Sequence, residues 1–193
     1  FGEMGAEGAR LEADLQARAQ AAGVRICGPN CLGLVNAFDR VMASFGQYAD
    51  GPTPPGPVAF VTQSGAFGTA IAALARRRDL GLGYFVNTGN EADVTFAEAM
   101  REVLADPRIR VRAGYVEGFR VGDDLVRLAE QALALGKPLV LTKVGRTAAG
   151  ARAAVSHTGS LAGEDRIFAG VARQLAFVPA RNEEHMLDLV EVF

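Results

Sequence analysis

Tryptophan is absent, aromatic residues make up only 7% of the chain, and 193 residues carry two cysteines, Cys27 and Cys31. Two thiols cannot staple a small secreted scaffold, so a reducing cytoplasmic setting is expected. Without a third Cys or a nearby His they offer no metal-ligand set. Neither has a sequence neighbour that would activate a thiolate. Excess charge is also lacking: 20 Lys and Arg stand against 22 Asp and Glu, a net charge of −2. That balance excludes a nucleic-acid binder driven by a basic surface, and it excludes a disordered acidic tail. No apolar run approaches the roughly 20 residues that cross a bilayer, so no membrane partner is expected. A basic start followed by an apolar stretch is missing, so no export signal is visible. The chain opens on Phe1 rather than Met, and its final helical pattern stops without Gly or Pro. Both ends read as cuts in a longer polypeptide.

What the chain has in abundance is glycine, 23 residues, gathered in turns that follow apolar runs. Residues 7–22 show helical spacing of Leu11, Leu15, Ala19 and Ala22, with Gly23 as the stop. Residues 24–27 read as a short strand, and 32–45 lack a clear period. Four prolines within residues 52–57 mark a linker. Beyond it, strands and helices alternate. Strands are expected at 58–61, 83–86, 111–116, 138–142 and 176–178. Helices are expected at 68–78, 94–104 (with Asp93 as N-cap), 123–135, 161–174 and from 183 onward. Right-handed βαβ crossovers then give a doubly wound parallel α/β sheet of flavodoxin-like layout. The division expected is 1–51, the C-terminal part of another α/β domain; 52–57, the linker; and 58–193, the flavodoxin-like domain.

Ligands of such sheets sit beyond the carboxyl ends of the strands, where helix N-termini present free N–H groups. Thr62-Gln63-Ser64-Gly65-Ala66-Phe67-Gly68 follows the first of these strands. It suits either an anion site, with Gly65 and Gly68 letting backbone amides approach and Ser64 adding a hydroxyl, or a tight turn capped by Ser64. Ser156-His157-Thr158-Gly159-Ser160-Leu161-Ala162-Gly163 sets a histidine among small residues at a helix start. His157 is either a solvent-exposed loop residue or a nucleophilic imidazole whose phosphorylated form would face that helix N-terminus. Glu117, at the end of an apolar strand, needs a partner. It would fix the tautomer of an imidazole or pair with Arg120 or Arg146. Asn87-Thr88-Gly89-Asn90-Glu91-Ala92-Asp93 reads as a capped βα turn, and His185 as a surface residue.

These segments occur in order with Gly28-Pro29-Asn30-Cys31-Leu32-Gly33, Tyr115-Val116-Glu117-Gly118 and Lys143-Val144-Gly145-Arg146-Thr147. Together they resemble the NDP-forming acyl-CoA synthetases of the succinyl-CoA synthetase superfamily, in particular the ADP-forming acetate–CoA ligase branch. The resemblance implies a Rossmann-like CoA-binding domain ending near residue 51, followed by a flavodoxin-like ligase domain. It implies that His157 is the phosphorylated residue and that Glu117 hydrogen-bonds it. It further implies that Ser64, Gly65, Ala66 and Gly159 hold phosphate, and that Asn30, Cys31 and Asn90 face CoA or substrate. Coenzyme A, a small carboxylic acid and phosphate would be the ligands. ATP or ADP with Mg2+ would be bound by an ATP-grasp domain or β subunit outside this chain, in an oligomer, and the chain by itself is expected to be inactive. Relatives that fuse this module to an N-acetyltransferase for ligand sensing commonly lack the histidine, so His157 favours the enzyme.

Overall fold

The computed structural model describes residues 4–119, 122–144, 165–175 and 177–193. His157, Gly159, Arg120 and Arg146 lie outside the described residues. The elements run α1 (Ala6–Ala21), β1 (Gly33–Asn36), β2 (Val41–Ser44), a 3-10 turn (Gln47–Ala49), β3 (Val58–Thr62), α2 (Gly65–Arg77) and β4 (Leu82–Asn87). They continue with α3 (Phe96–Ala105), β5 (Val111–Val116), α4 (Gly122–Ala134), β6 (Leu139–Lys143), α5 (Asp165–Leu175), β7 (Val178–Pro179) and α6 (Glu183–Val192). Among the described residues no helix is long and apolar enough to cross a membrane.

Among the described residues seven strands form one sheet in the order β2-β1-β4-β3-β5-β6-β7. The five strands expected after the prolines are all present, and they are parallel to one another. Their order β4-β3-β5-β6-β7 is the doubly wound flavodoxin-like arrangement. The sheet is nevertheless mixed. Residues 33–44, on the near side of the proline-rich stretch, form a hairpin whose β1 pairs antiparallel with β4, Gly33 opposite Asn87.

The pleat of β3 explains the two layers. Val58 and Phe60 point to one face and Ala59 and Val61 to the other, all buried. On the first face α2 contributes Ile71, Ala72 and Ala75, and α6 contributes Met186, Leu187 and Val190. On the second, α3, α4 and α5 bring Phe96, Met100, Leu104, Leu128 and Phe168. A strand buried on both faces reads as a continuous apolar run, as β3 does.

Two local expectations are corrected. Residues 24–27 are not a strand: Arg25 reaches outward to Asp93 and Glu98, and the Ile26 amide donates to the Asp93 carboxylate at 2.8 Å, which leaves it no sheet partner. Asp93 is therefore occupied, and α3 is capped instead by Thr95, whose Oγ1 accepts from the Glu98 amide at 3.2 Å. Thr95-Phe96-Ala97-Glu98 has the Thr-x-x-Glu pattern of a capping box.

Candidate functional site

Because β3, β4 and β5 are parallel, their carboxyl ends open on one edge of the sheet. The chain leaves β3 for β4 on one side and then crosses to β5 on the other. The order therefore reverses at β3, and the crevice outside its carboxyl end is where doubly wound sheets take ligands. The loop leaving β3 is Gln63-Ser64, and α2 starts at once with Gly65.

Ser64 caps that helix: its Oγ accepts from the Phe67 amide at 3.4 Å. Thr62 stiffens the turn, since its Oγ1 donates to the Ser64 carbonyl at 2.8 Å and accepts from the Ser64 amide at 3.1 Å. The leading amides of α2, at Gly65 and Ala66, belong to the turn that has no intrahelical acceptors. Gly65 is confined, because a Cβ there would lie 3.1 Å from Leu32 and 3.4 Å from Asn87. The capped turn is therefore present, and the helix end beyond it is of the kind that suits an anion.

Glu117 lies immediately beyond β5 and is half-buried. Its amide donates to Oε1 of Gln63 at 2.5 Å, and the next amide, of Gly118, donates to the same oxygen at 3.2 Å. Gln63 Nε2 donates to the Gly118 carbonyl and to Oε1 of Glu91, each at 2.9 Å. The loops after β3, β4 and β5 are thereby tied to one another through a single carboxamide. Tyr115, one residue before the end of β5, stacks on Phe67 with centroids 3.6 Å apart. Burial, then the charges of Glu117 and Glu183, push its hydroxyl up to about 12, so it stays protonated. At the end of β6 the buried Lys143 donates to the Val144 carbonyl at 3.1 Å.

The loop after β4 does more than turn. Gly28-Pro29-Asn30 docks on it: the Asn90 amide donates to the Pro29 carbonyl at 2.9 Å, and the Ala92 amide to the Gly28 carbonyl at 2.8 Å. Asn30 Nδ2 donates to Asn90 Oδ1 at 3.2 Å. Gly89, at φ +58°, runs so close that a Cβ would sit 2.3 Å from the Pro29 carbonyl oxygen. Asn30, Cys31 and Asn90 are thus brought to the same sheet edge as Ser64 and Glu117. Cys31 Sγ donates to the Cys27 carbonyl at 3.3 Å. A hydrogen bond from the Cys27 thiol draws the Cys31 thiol below its ordinary range, whereas that bond and burial push Cys27 up.

Three residues that hold this edge together received no role from the sequence: Gln63, Asn87 and Glu91. Their signal was polarity at the end of an otherwise apolar strand. His185 is partly exposed at the surface, and its Nδ1 accepts from the Arg181 amide at 3.1 Å. Among the described residues no three His, Cys, Asp or Glu side chains are grouped to hold a metal ion.

These features define a doubly wound α/β domain with an anion-suited switch point. Residues 55–193 match the succinyl-CoA ligase like flavodoxin domain, and the chain belongs to that family. It is 38% identical over 194 residues to the α subunit of ADP-forming acetate–CoA ligase II of Pyrococcus furiosus, covering 100% of this chain and 41% of that relative. ADP-forming acetate–CoA ligase I of Archaeoglobus fulgidus is 36% identical over 188 residues, covering 97% of this chain and 27% of that relative. Among solved structures, the dinucleotide forming acetyl-coenzyme A synthetase 1 of Ca. Korarchaeum cryptofilum, in complex with phosphate and ADP, superposes with a TM-score of 0.86 at 36% identity. That likeness covers 97% of this chain and 40% of the other.

Proposed function

We propose that this chain is the histidine-phosphorylating part of an NDP-forming acyl-CoA synthetase. The reaction is acid + CoA + ATP to acyl-CoA + ADP + phosphate, reversible. The observation that carries the reading is the joining of the Ser64–Gly65–Ala66 helix end and Glu117 at one switch point, in a chain similar to ADP-forming acetate–CoA ligases. A ring nitrogen of His157 takes the γ-phosphoryl group of ATP and releases ADP. Phosphohistidine passes the group to the carboxylate of the acid, giving an acyl phosphate. The sulfur of CoA attacks the acyl carbon and expels phosphate.

Glu117 accepts the N–H of the other ring nitrogen, which leaves the attacking nitrogen unprotonated and supports the charge that develops on the ring. Amides at Gly65, Ala66 and Gly159, with the Ser64 hydroxyl, hold the phosphoryl oxygens. Asn30, Cys31 and Asn90 face the CoA and acid side. Nucleotide and Mg2+ belong to an ATP-grasp domain or β subunit, so the enzyme is an assembly of parts, set in the cytoplasm where ATP and CoA are at hand. The units proposed for this chain are the end of a CoA-binding domain at 1–51, a linker at 52–57 and the ligase domain at 58–193.

The test uses the complete polypeptide, with its nucleotide-binding part, and γ-labelled ATP. An acid-labile, base-stable phosphoryl group is expected, and it is lost in His157→Ala. Label that survives this substitution overturns the assignment.

A further inference from the structure

We propose that Gln63 and Glu91 act together as positioning residues for Glu117, with Glu91 joining the Gly118 carbonyl in dictating which end of the Gln63 carboxamide faces the Glu117–Gly118 amides. The inference rests on Glu117 serving His157. It adds to that reading the residues that decide where Glu117 stands.

Gln63 spends both donors and its acceptor: Oε1 receives the amides of Glu117 and Gly118, while Nε2 donates to the Gly118 carbonyl and to Glu91. A carboxamide can be turned end for end at little steric cost, so its partners must fix its direction. The Glu117 and Gly118 amides and the Gly118 carbonyl do so on one side, and Glu91 does so on the other. It is only 5% exposed, and its Oε1 also receives the Thr88 hydroxyl at 2.9 Å and the Phe96 amide, the first of α3, at 2.7 Å. Ionised, a carboxylate only accepts, so the NH2 end of Gln63 must point to it and the oxygen must point to the two amides. Three donors converge on Oε1 of Glu91, from Gln63, the Thr88 hydroxyl and the Phe96 amide, an arrangement that an accepting oxygen satisfies.

Glu91 itself adopts φ +58°, a region that side chains other than glycine seldom enter. Residues held in sparsely populated backbone regions cluster where the surrounding structure over-determines them for a task. Here the strained turn delivers the carboxylate inward, under the loop after β3 and against α3. The run Glu91 to Gln63 to the Glu117 peptide links the loops after β4, β3 and β5 in turn. A shift of the Glu117 backbone would carry its carboxylate out of line with the imidazole, and displacements near 1 Å can cost about 10²-fold in rate.

The test compares Gln63→Glu, Glu91→Gln and the double exchange in the complete enzyme, reading phosphoryl transfer to His157 and KM for ATP. Gln63→Glu sets two carboxylates against each other, and transfer is expected to slow by about 10²-fold with KM unchanged. The double exchange keeps an acceptor facing both amides and removes the clash of two charges. The amide at position 91, turned to donate to the carboxylate at position 63, gives up the Thr88 hydroxyl and the Phe96 amide, and the Gly118 carbonyl loses its donor. The double exchange should therefore recover part of the loss. A merely structural staple would lower the melting temperature of each variant and leave the rate of the folded protein alone. Wild-type rates in Gln63→Glu, or a double exchange no better than that single change, overturn the proposal. Should Gln63→Glu fail to fold, Glu91→Gln carries the same test, because it keeps the volume and an acceptor for the Phe96 amide and removes only the charge. Label retained in His157→Ala would instead overturn the function itself. Label lost there but formed at the normal rate in Gln63→Glu overturns only the positioning role.

Discussion

Asn87 Oδ1 accepts the backbone N–H of Leu32 at 2.6 Å, joining the end of β4 to a residue 55 positions earlier in the chain. The same side chain donates from Nδ2 to the carbonyls of Thr62 at 2.9 Å and Gln63 at 3.2 Å, and it is fully buried. One amide therefore fastens the Gly28–Leu32 loop and the exit of β3 to a single point. Neither carbonyl can donate in return, so the orientation of the Asn87 amide is fixed as firmly as that of Gln63.

Replacing Asn87 by Asp tests this. The oxygen that takes the place of Nδ2 would face two carbonyl oxygens inside the protein, with no donor between them. Loss of stability of about 1–3 kcal/mol, or more with the added charge, is expected from denaturant titration. The Gly28–Leu32 loop should also loosen, which faster labelling of Cys31 by a thiol reagent would report. An unchanged midpoint would show that water or a rearranged loop satisfies the site.

In the role proposed for Glu117, Glu117→Gln should fold normally and transfer phosphate slowly. The amide keeps the shape of the carboxylate but loses the charge that would support a developing imidazolium. A loss of about 10²- to 10⁴-fold is the scale for positioned acid–base groups. Rapid-quench measurement of phosphohistidine formation in the complete enzyme checks it. Wild-type rates would reduce Glu117 to a structural residue held by Gln63.

The two thiols should differ in reactivity. The hydrogen bond from Cys27 stabilises the Cys31 thiolate, with a smaller contribution from the Gly33 amide, while that bond and burial hold Cys27 protonated. Alkylation by iodoacetamide near pH 7 should therefore mark Cys31 first, below the range of an ordinary thiol at about 8.5. Cys27→Ala removes the donor, so the pH midpoint of Cys31 labelling should rise. Equal labelling of both thiols, or an unmoved midpoint, would count against the pairing.

The fold was largely legible in the sequence, and the reason is the two-sided burial of a parallel sheet. β3 is an apolar run bounded by turns, and β5 and β6 are mainly apolar runs that also bury Arg112, Thr142 and Lys143, so the pattern names them without tertiary knowledge. The hairpin β1–β2 was not legible. Its strands are four residues each, β2 is mostly exposed, and its pairing with β4 is fixed by docking across the proline-rich stretch. Candidate site residues divide the same way. Ser64 and Gly65 announce themselves as a small-residue turn between strand and helix. Gln63, Asn87 and Glu91 work through contacts with residues 24 to 55 positions away, which no local spacing can show. Asp93 illustrates the competition: sequence places it where a cap should be, and the long-range partner Arg25 takes it.

Acid should weaken the opposite edge of the sheet first. Asp106 follows α3, and its carboxyl is held below the usual range, first by the Arg108 guanidinium and then by the Tyr84 hydroxyl, which donates to it at 2.7 Å. Arg108 in turn lies over the Phe38 ring at 4.1 Å, so the ion pair helps to hold the turn between β1 and β2. A carboxyl whose folded pKa lies below its unfolded value of 3.8 stabilises the native state above that value. The contribution fades as pH falls from about 4 toward the folded pKa, because the unfolded chain takes up the proton first. Melting temperature should therefore drop between about pH 4 and pH 2 in the native chain. Asp106→Asn should lie lower at neutral pH and show a shallower decline over that interval, because the group that titrates is gone. Arg108 is 44% exposed, so added salt should reduce the gap between the two proteins at neutral pH. Parallel curves for the native chain and Asp106→Asn would mean that other carboxylates, Asp93 beside Arg25 foremost, set the acid limit.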